Sequence, residues 1–437
     1  MGARAKIESK FTSPSIPSLE AVLCETLSER QSLINILRGH KAQVQAAAFI
    51  RRNERLATAD ADGFIVLWDL AVMRPAAVWK AHDKSILGVM GWGLDKIITH
   101  GRDHKLVVWK LSASDEEGLS SVLPVEPVVE ARRQPWILHL VEVNALNFCA
   151  FAACARRPDG TLSGPDASSE LLLAVPNALA SEAVDVFALP DQSRLHTVRP
   201  SGSTTGLVMS LRLLHLAGCL TLIAGFENGS VSVRRLEAAG AWITTYSSQP
   251  HSQPVLSLDV HPNHECFFSS SADSILAQHP LPTAQRFCSG DAGASQVGDM
   301  EPWKHPLKTV NTKHFGQQSL SVRSDGKILA TAGWDSKVRV YSAKTLNELA
   351  VLQWHKVGAY AVAFADLVPA ETQSCGQQES SVVKPSDENA STSMGAKTSL
   401  VGKELTTVKH RRMRAALTTH WIAAGAKDGK VSLWQVY

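Results

Sequence analysis

The sequence lacks the features of membrane-spanning and disulfide-bonded proteins. None of its 437 residues falls in an apolar run of about 18 residues, so no transmembrane helix is predicted. The N-terminal segment has no apolar core of the kind found in secretory signals. The seven cysteines are odd in number and never spaced as CxxC, which excludes a zinc ribbon and leaves no support for a disulfide framework. The sequence therefore favours a reducing compartment.

Charge and catalytic motifs are also sparse. The net charge is only +3, too small to predict a nucleic-acid or membrane surface, and neither kind of partner is expected. There is no phosphate-binding loop, nucleotide fingerprint, GxSxG elbow or HExxH motif, so no enzyme and no cofactor are predicted. The stretch HPNHEC brings together His261, His264 and Cys266. It falls in a turn between two strands, which disfavours a metal site, and none is predicted.

What the sequence does contain is a repeat. Four segments share a short apolar strand, a stretch of small residues, an Asp and a second strand ending in an aromatic residue: 56–70, 97–111, 329–343 and 422–436. The Asp precedes the aromatic residue by six positions in each, as in Asp62 to Trp68. In three of them a His lies 28 or 27 residues before the aromatic residue. This periodicity is typical of a propeller built from four-stranded blades.

The repeats resemble those of WD-repeat proteins, with Gly-His at 39–40 and Trp-Asp at 68–69. The resemblance implies that each complete blade holds a hydrogen-bonded tetrad of His, Thr or Ser, Asp and an aromatic residue. Such tetrads are scaffold, because a buried Asp must be paired. The predicted tetrads are His40–Thr58–Asp62–Trp68, His82–Thr99–Asp103–Trp109 and His314–Thr331–Asp335–Tyr341.

Weaker repeats bring the predicted number of blades to seven. One keeps His251, Ser269 and Asp273 but has His279 six residues after the Asp. Another has Arg234 where an aromatic residue is expected, and the segment 143–189 has no tetrad. The blades are predicted to begin near residues 40, 82, 143, 207, 251, 314 and 355.

The C-terminal blade predicts how the ring closes. It has three strands, at 358–364, 420–425 and 430–436, and no fourth. An open ring would leave exposed sheet edges. The segment 32–39 precedes the first His and has no blade of its own, so it is predicted to pair beside 431–436. The expected fold is an all-β, seven-bladed WD-repeat propeller closed by this N-terminal strand.

Outside the blades, composition predicts flexible segments. Residues 1–31 are expected to be a flexible leader before a propeller at 32–437. Stretches rich in Ser, Pro, Gly and Glu or Gln predict disordered insertions at 112–135, 155–170, 283–305 and 367–414. The last insertion ends in KHRRMR at 409–414, which is either a nuclear-localisation patch or a solvated basic turn.

A closer resemblance is carried by the segments 36–111, 305–356 and 421–437, which look like the fungal ASTRA-associated protein 1 family, related to G-protein beta-subunit-like WD-repeat proteins. The resemblance implies a non-catalytic scaffold or adaptor in the nucleus, linked to chromatin remodelling and telomere maintenance. The implied partners are the protein subunits of the ASTRA assembly: RuvB-like ATPases, a kinase-like transcription cofactor and co-chaperones of phosphatidylinositol-3-kinase-related kinases.

Two alternatives remain open at the level of sequence. The chain could be a substrate receptor of a cullin ubiquitin ligase, although the Arg expected after Trp-Asp-x in such receptors is Ala71 here. It could instead read histone tails, which would require an acidic or aromatic rim at the central channel.

Overall fold

The computed structural model describes residues 32–127, 131–144, 148–200, 205–282, 301–367, 408 and 411–436. Within these residues, 28 strands form seven antiparallel sheets of four strands each. This confirms the predicted all-β, seven-bladed propeller. The predicted leader, 1–31, lies outside the described residues.

The strands follow the blades in chain order. The strand β1 (Ser32–Arg38) precedes blade 1, which contains β2 (Val44–Ile50), β3 (Arg55–Asp60), β4 (Phe64–Asp69) and β5 (Arg74–Lys80). Blade 2 contains β6 (Ile86–Trp92), β7 (Lys96–Gly101), β8 (Lys105–Lys110) and β9 (Trp136–Glu142). Blade 3 contains β10 (Ala152–Ala155), β11 (Leu171–Pro176), β12 (Val184–Leu189) and β13 (Ser193–Val198).

The second half of the ring repeats this plan. Blade 4 contains β14 (Val208–Leu216), β15 (Cys219–Phe226), β16 (Val231–Leu236) and β17 (Trp242–Ser248). Blade 5 contains β18 (Val255–Val260), β19 (Cys266–Ser271), β20 (Ile275–Pro280) and β21 (Lys308–Asn311). Blade 6 contains β22 (Gln317–Val322), β23 (Ile328–Gly333), β24 (Lys337–Ser342) and β25 (Glu348–Gln353), and blade 7 contains β26 (Ala359–Phe364), β27 (Trp421–Ala426) and β28 (Lys430–Gln435).

The antiparallel order gives the ring two different faces. In each blade the turn between the second and third strands lies at the same end as the connection that enters the first strand. We call this end the upper face. The turns between the first and second strands, and between the third and fourth, form the lower face.

The N-terminal strand closes the ring as predicted. The fourth sheet position of blade 7 is taken by β1, which runs antiparallel to β28 with Ser32 opposite Gln435 and Arg38 opposite Lys430. A bulge at Ile34 interrupts the register. Leu37 is 2% exposed and joins the core between blades 7 and 1. The first strand therefore contributes both backbone pairing and core to the last blade.

The core is divided into seven clusters, each shared by two consecutive blades of the described chain. Because every sheet packs against a neighbour on both faces, its central strands have little polar alternation. Strand β4, with sequence FIVLWD, is buried at its four central positions. Packing between blades, rather than within one blade, therefore stabilises the ring.

The insertion at 112–135 is described at 112–127 and 131–135, where it contacts blade 1. Its short 3-10 helix, Asp115–Gly118, carries Glu116, which pairs with Arg51 and Arg55 of blade 1. Further along, Val78 N–H of β5 donates to the Ser120 carbonyl at 2.7 Å. This connection of blade 2 therefore crosses the outer edge of blade 1.

The insertion at 155–170 contacts the neighbouring blade. It covers Trp92 of blade 2, whose Nε1 donates to the Ser168 carbonyl at 2.7 Å. Of the insertion at 283–305 only 301–305 is described, where Trp303 exchanges backbone bonds with Thr245 and Ser247 of β17. Of that at 367–414, residues 367, 408 and 411–414 are described; the remainder of both lies outside the described residues.

Candidate functional site: buried polar networks and the upper face

The first predicted tetrad is assembled around a different acid. His40 Nδ1 lies 2.7 Å from Asp60 Oδ2, and His40 Nε2 lies 2.7 Å from Thr58 Oγ1. Trp68 Nε1 donates to Thr58 Oγ1 at 2.9 Å. Asp60, not the predicted Asp62, is therefore the acid of this network. Asp62 is exposed, at the tip of the turn.

The reason lies in the last residue of the second strand. Asp60 and Gly101 occupy equivalent positions, opposite Val44 and Ile86. In blade 2 a Cβ at Gly101 would lie 2.3 Å from His82 Nδ1, and this free space lets Asp103 reach back from the turn. In blade 1 the strand itself supplies the carboxylate. Asp60 Oδ1 also accepts Phe64 N–H at 2.9 Å, so one side chain serves both the histidine and the turn.

The second predicted set comes together with the expected residues. His82 Nδ1 lies 2.9 Å from Asp103 Oδ1 and its Nε2 lies 2.8 Å from Thr99 Oγ1, while Trp109 Nε1 donates to Thr99 Oγ1 at 2.9 Å. Burial alone raises the pKa of Asp103. The bonds from His82 and from the Asp83 backbone N–H outweigh this effect and lower the pKa to about 2.

The third predicted set is not joined in the same way. His314 Nδ1 lies 3.9 Å from Asp335 Oδ2, and its side chain is 37% exposed. Asp335 is instead bound by Arg339, whose Nη2 donates to Oδ2 at 2.6 Å. Thr331 and Tyr341 are buried. In blades 1 and 2 the histidine is buried and bonded to an Asp. In blade 6 the corresponding His314 is partly exposed and is not within hydrogen-bond distance of Asp335.

The structure also reveals networks that the repeat pattern did not predict. In blade 7, His355 Nε2 lies 2.8 Å from Ser432 Oγ, which accepts Trp434 Nε1 at 2.9 Å. The serine stands on the third strand, whereas the repeat places it on the second, where Ala424 lies. The pair of His355 and Trp434 was the signal available in the sequence.

Blades 3 and 5 have their own substitutes. In blade 5, Ser269 Oγ lies 2.7 Å from both His251 Nε2 and His279 Nε2, so His279 takes the place of the aromatic residue. In blade 3, Asn177 Nδ2 donates to Asp185 Oδ2 at 2.7 Å. A blade without the tetrad pattern thus still has a buried polar link between its strands.

Two buried histidines are held in the neutral form. His100 is 1% exposed, and within the described residues neither ring nitrogen has a hydrogen-bond partner. Burial, and secondarily the nearby His82, lower the pKa of His100 to about 3. Burial, and then His251, lower the pKa of His279 well below its usual range. Both imidazoles are far from solvent, so neither offers a proton-transfer site.

These two histidines predict that the fold is acid-labile. Below about pH 6.5 the unfolded chain binds a proton at each imidazole that the folded chain does not, so stability falls as pH falls. From about pH 7.5 to about pH 5 we expect His100 to reduce the free energy of unfolding by about 2 kcal/mol, and His279 to reduce it further in the same direction. Urea titrations at both values measure this. In the variant His100→Leu the free energy of unfolding should depend less on pH, because the contribution of His100 is gone. The control His305→Leu, at an exposed site, should keep the wild-type pH dependence. Equal pH dependence in wild type and His100→Leu would contradict the assignment.

The central channel offers no catalytic constellation among the residues described. Its cavity of about 490 Å³ is lined by the innermost strands of all seven blades, with alanine and serine among the lining residues. The pair formed by Arg212 Nε and Asp259 Oδ1, 3.1 Å apart, is partly exposed to it. The aromatic rings on its lining are Phe49, Phe148, Phe151, Tyr360 and Phe364. Phe148 and Phe151 precede β10 and Tyr360 stands near the start of β26, so these three lie toward the upper mouth, whereas Phe49 and Phe364 stand near the lower ends of their strands.

The residues that the structure describes form neither a metal centre nor a membrane-spanning helix. Among them no group of three or more His, Cys, Asp or Glu side chains is placed to hold a metal ion. None of the described helices has both the length and the apolar character needed to cross a membrane. Of the basic stretch 409–414, residues 411–414 lie in a helical turn with Arg411, Arg412 and Arg414 exposed.

Comparison with known proteins identifies relatives along the whole ring. A family model described as ASTRA-associated protein 1 matches residues 34–434, from β1 to β28. The ASTRA-associated protein 1 of Verticillium alfalfae is 51% identical over 427 residues, covering 97% of this chain and 97% of that protein. That of Pyricularia oryzae is 43% identical, covering 92% and 97%. That of Schizosaccharomyces pombe is 33% identical, covering 75% and 92%. The resemblance noted from the sequence is confirmed.

Proposed function

This chain belongs to the ASTRA-associated protein 1 family, and from that premise we propose that it is a non-catalytic scaffold subunit of the ASTRA assembly, acting in the nucleus. The observation that carries the proposal is the match from β1 to β28, which includes every blade. What the family name states is association with ASTRA. The role in chromatin remodelling and telomere maintenance follows from the resemblance only.

The geometry supports an adaptor in two ways. The polar residues of the tetrads are buried and bonded to each other, so we propose that they stabilise the fold and do not contact partners. The exposed residues differ from blade to blade, so a rigid ring presents distinct surfaces at fixed positions. The proposed partners are the RuvB-like ATPases, the kinase-like transcription cofactor and the kinase co-chaperones.

Affinity purification of the tagged full chain from a nuclear extract, followed by mass spectrometry, tests this role. We expect the RuvB-like ATPases, the kinase-like cofactor and the co-chaperones to be enriched over a tag-only control. Recovery of a cullin adaptor in their place would assign the chain to a ubiquitin ligase. Selective recovery of histones would favour a reader. Recovery of none of the ASTRA subunits would contradict the proposal.

A further inference from the structure

Blade 6 exposes two large aromatic side chains on the upper face. Trp334, in the turn between β23 and β24, is 46% exposed, and Phe315, in the connection that enters β22, is 69% exposed. Both residues stand at the end of the ring where blades 1 and 2 bury a histidine. Exposed aromatic area of this size on a rigid element is unfavourable in water unless something covers it.

Trp334 is held in one position although it is exposed. Its Nε1 donates to Gln318 Oε1 at 2.9 Å. The ring lies against Gly316, whose φ is +75° and where a Cβ would come within 2.2 Å of Trp334 Cδ2. The backbone of Trp334 is also close to blade 7, because a Cβ at Gly358 would lie 3.1 Å from the Trp334 carbonyl. A partner would therefore meet a preorganised indole, which loses little side-chain entropy on binding.

The incomplete tetrad of blade 6 lies beside this surface. In blades 1 and 2 the histidine is buried and tied to an Asp of its own blade. In blade 6, Arg339 takes over Asp335, and His314 stays partly exposed. The backbone of the connection is still joined to the blade, since Trp334 N–H donates to the Gly316 carbonyl at 3.0 Å. A local departure from the repeat coincides with the exposed aromatic pair, as expected where stability is given up for binding.

The charge around Trp334 is positive. Lys313, Lys356 and Lys427 are exposed, and no ion pair is found for them among the described residues. The backbone N–H of Lys427 donates to the Gly358 carbonyl. Lys427 therefore lies near the backbone of Trp334, which Gly358 approaches closely. The neighbouring acids are already engaged, Asp335 by Arg339 and Asp428 by Lys430 at 2.7 Å. A ligand for this surface must supply the negative charge itself.

We propose that the blade-6 platform, formed by Lys313, Phe315, Trp334, Lys356 and Lys427, binds an acidic peptide segment of a partner protein. A bulky apolar side chain of the peptide packs on Trp334 and Phe315, and its carboxylates pair with the three lysines. This inference rests on the proposed adaptor function. It adds that the upper face of blade 6 is one binding surface and that its ligand is an acidic peptide. A peptide is favoured over a nucleic acid because the platform has only three lysines and the net charge of the whole chain is only +3, too small for a surface that follows a phosphate backbone.

Fluorescence anisotropy with the purified full chain tests the platform. The probes are labelled oligoglutamate peptides with one central Phe, Leu or Ala, and a labelled oligothymidine. We expect the Phe peptide to bind, and the Ala peptide and the oligothymidine to bind about tenfold more weakly or not at all. Trp334→Ala and the triple change of Lys313, Lys356 and Lys427 to Glu should each weaken binding of the Phe peptide by about tenfold or more.

Matched controls separate binding from folding. Trp303→Ala removes an indole that is 50% exposed beside blade 4, and Lys344→Glu reverses an exposed charge on the lower face of blade 6. Both should bind as the wild type does, and every variant should keep the wild-type melting temperature. Equal binding by Trp334→Ala and wild type, tighter binding of the oligothymidine, or no peptide binding would overturn the platform. The purification described above is independent of these outcomes, so failure of the platform and failure of the adaptor role are distinguishable.

Discussion

Removing residues 1–38 is expected to leave a chain that no longer unfolds in one cooperative transition. The truncation strips β28 of its outer neighbour and exposes its edge, which invites aggregation. It also removes Leu37 from the core between blades 7 and 1, a loss that alone costs about 2–5 kcal/mol. With the lost backbone pairing the total reaches about 5 kcal/mol or more, comparable to the net stability of a typical domain.

Thermal unfolding followed by circular dichroism, with size-exclusion chromatography, measures this effect. The control is a truncation of residues 1–31, which keeps β1 intact. If 1–31 is a flexible leader, that control should melt with the full chain. A chain without 1–38 that stays monomeric and melts at the wild-type temperature would show that β1 is dispensable.

The second large effect is expected at Asp60. This carboxylate is fully buried and lies 2.7 Å from His40 Nδ1. Asp60→Ala leaves the imidazole without its partner and the Phe64 N–H without its acceptor, so we expect a loss of about 3–5 kcal/mol in the free energy of unfolding. Denaturation by urea measures it.

The neighbouring Asp62 supplies the matched control for this experiment. It lies two residues away, and its side chain is outside the buried network. Asp62→Ala is expected to change the stability by no more than about 0.5 kcal/mol. If Asp62→Ala instead proved the more destabilising of the two, the repeat spacing would have identified the acid correctly and the hydrogen bonding described here would be wrong.

The features that the sequence predicts well follow from backbone geometry. Strand number and order are repeated with each blade, so the spacing from Asp103 to Trp109 or from Asp428 to Trp434 could be read directly. The closing strand was predictable because a three-stranded last blade leaves an edge that only 32–39 could cover. Both inferences needed only the spacing of the repeat and the number of strands in each blade. Neither depended on the conformation of a particular side chain.

The features that the sequence did not predict depend on individual side chains. Asp60 and Asp62 stand in one short turn, and the repeat spacing favours Asp62. Asp60 is the acid that bonds to His40 because it is the last residue of β3 and its side chain fills the space beside the imidazole. Likewise, the composition of 112–135 is that of a disordered loop, but Glu116 is fixed by Arg51, which lies 65 residues earlier in the chain. Long-range pairs of this kind leave no signal in local composition.

The candidate binding surface was hidden for the same reason. In the sequence, His314 and Asp335 have the spacing of a complete tetrad. Arg339, four residues after Asp335, binds the carboxylate instead, and His314 is left 3.9 Å from it and partly exposed. A tetrad that is complete by spacing need not be closed in the structure.

Closure of the ring by its first strand is the claim on which the rest depends, and a disulfide trap tests it most directly. Ser32 and Gln435 are Cα partners across β1 and β28, and such pairs lie about 4.5–5.5 Å apart, within reach of a disulfide. In a chain carrying Ser32→Cys and Gln435→Cys, oxidation should give one intrachain bond between these positions, identified by mass spectrometry, in a monomer that melts higher than its reduced form. Pairing Ser32→Cys with Gln353→Cys in blade 6 should give no such bond. An introduced thiol at position 32 that stays reduced, links to another site or links to a second chain would contradict the closure.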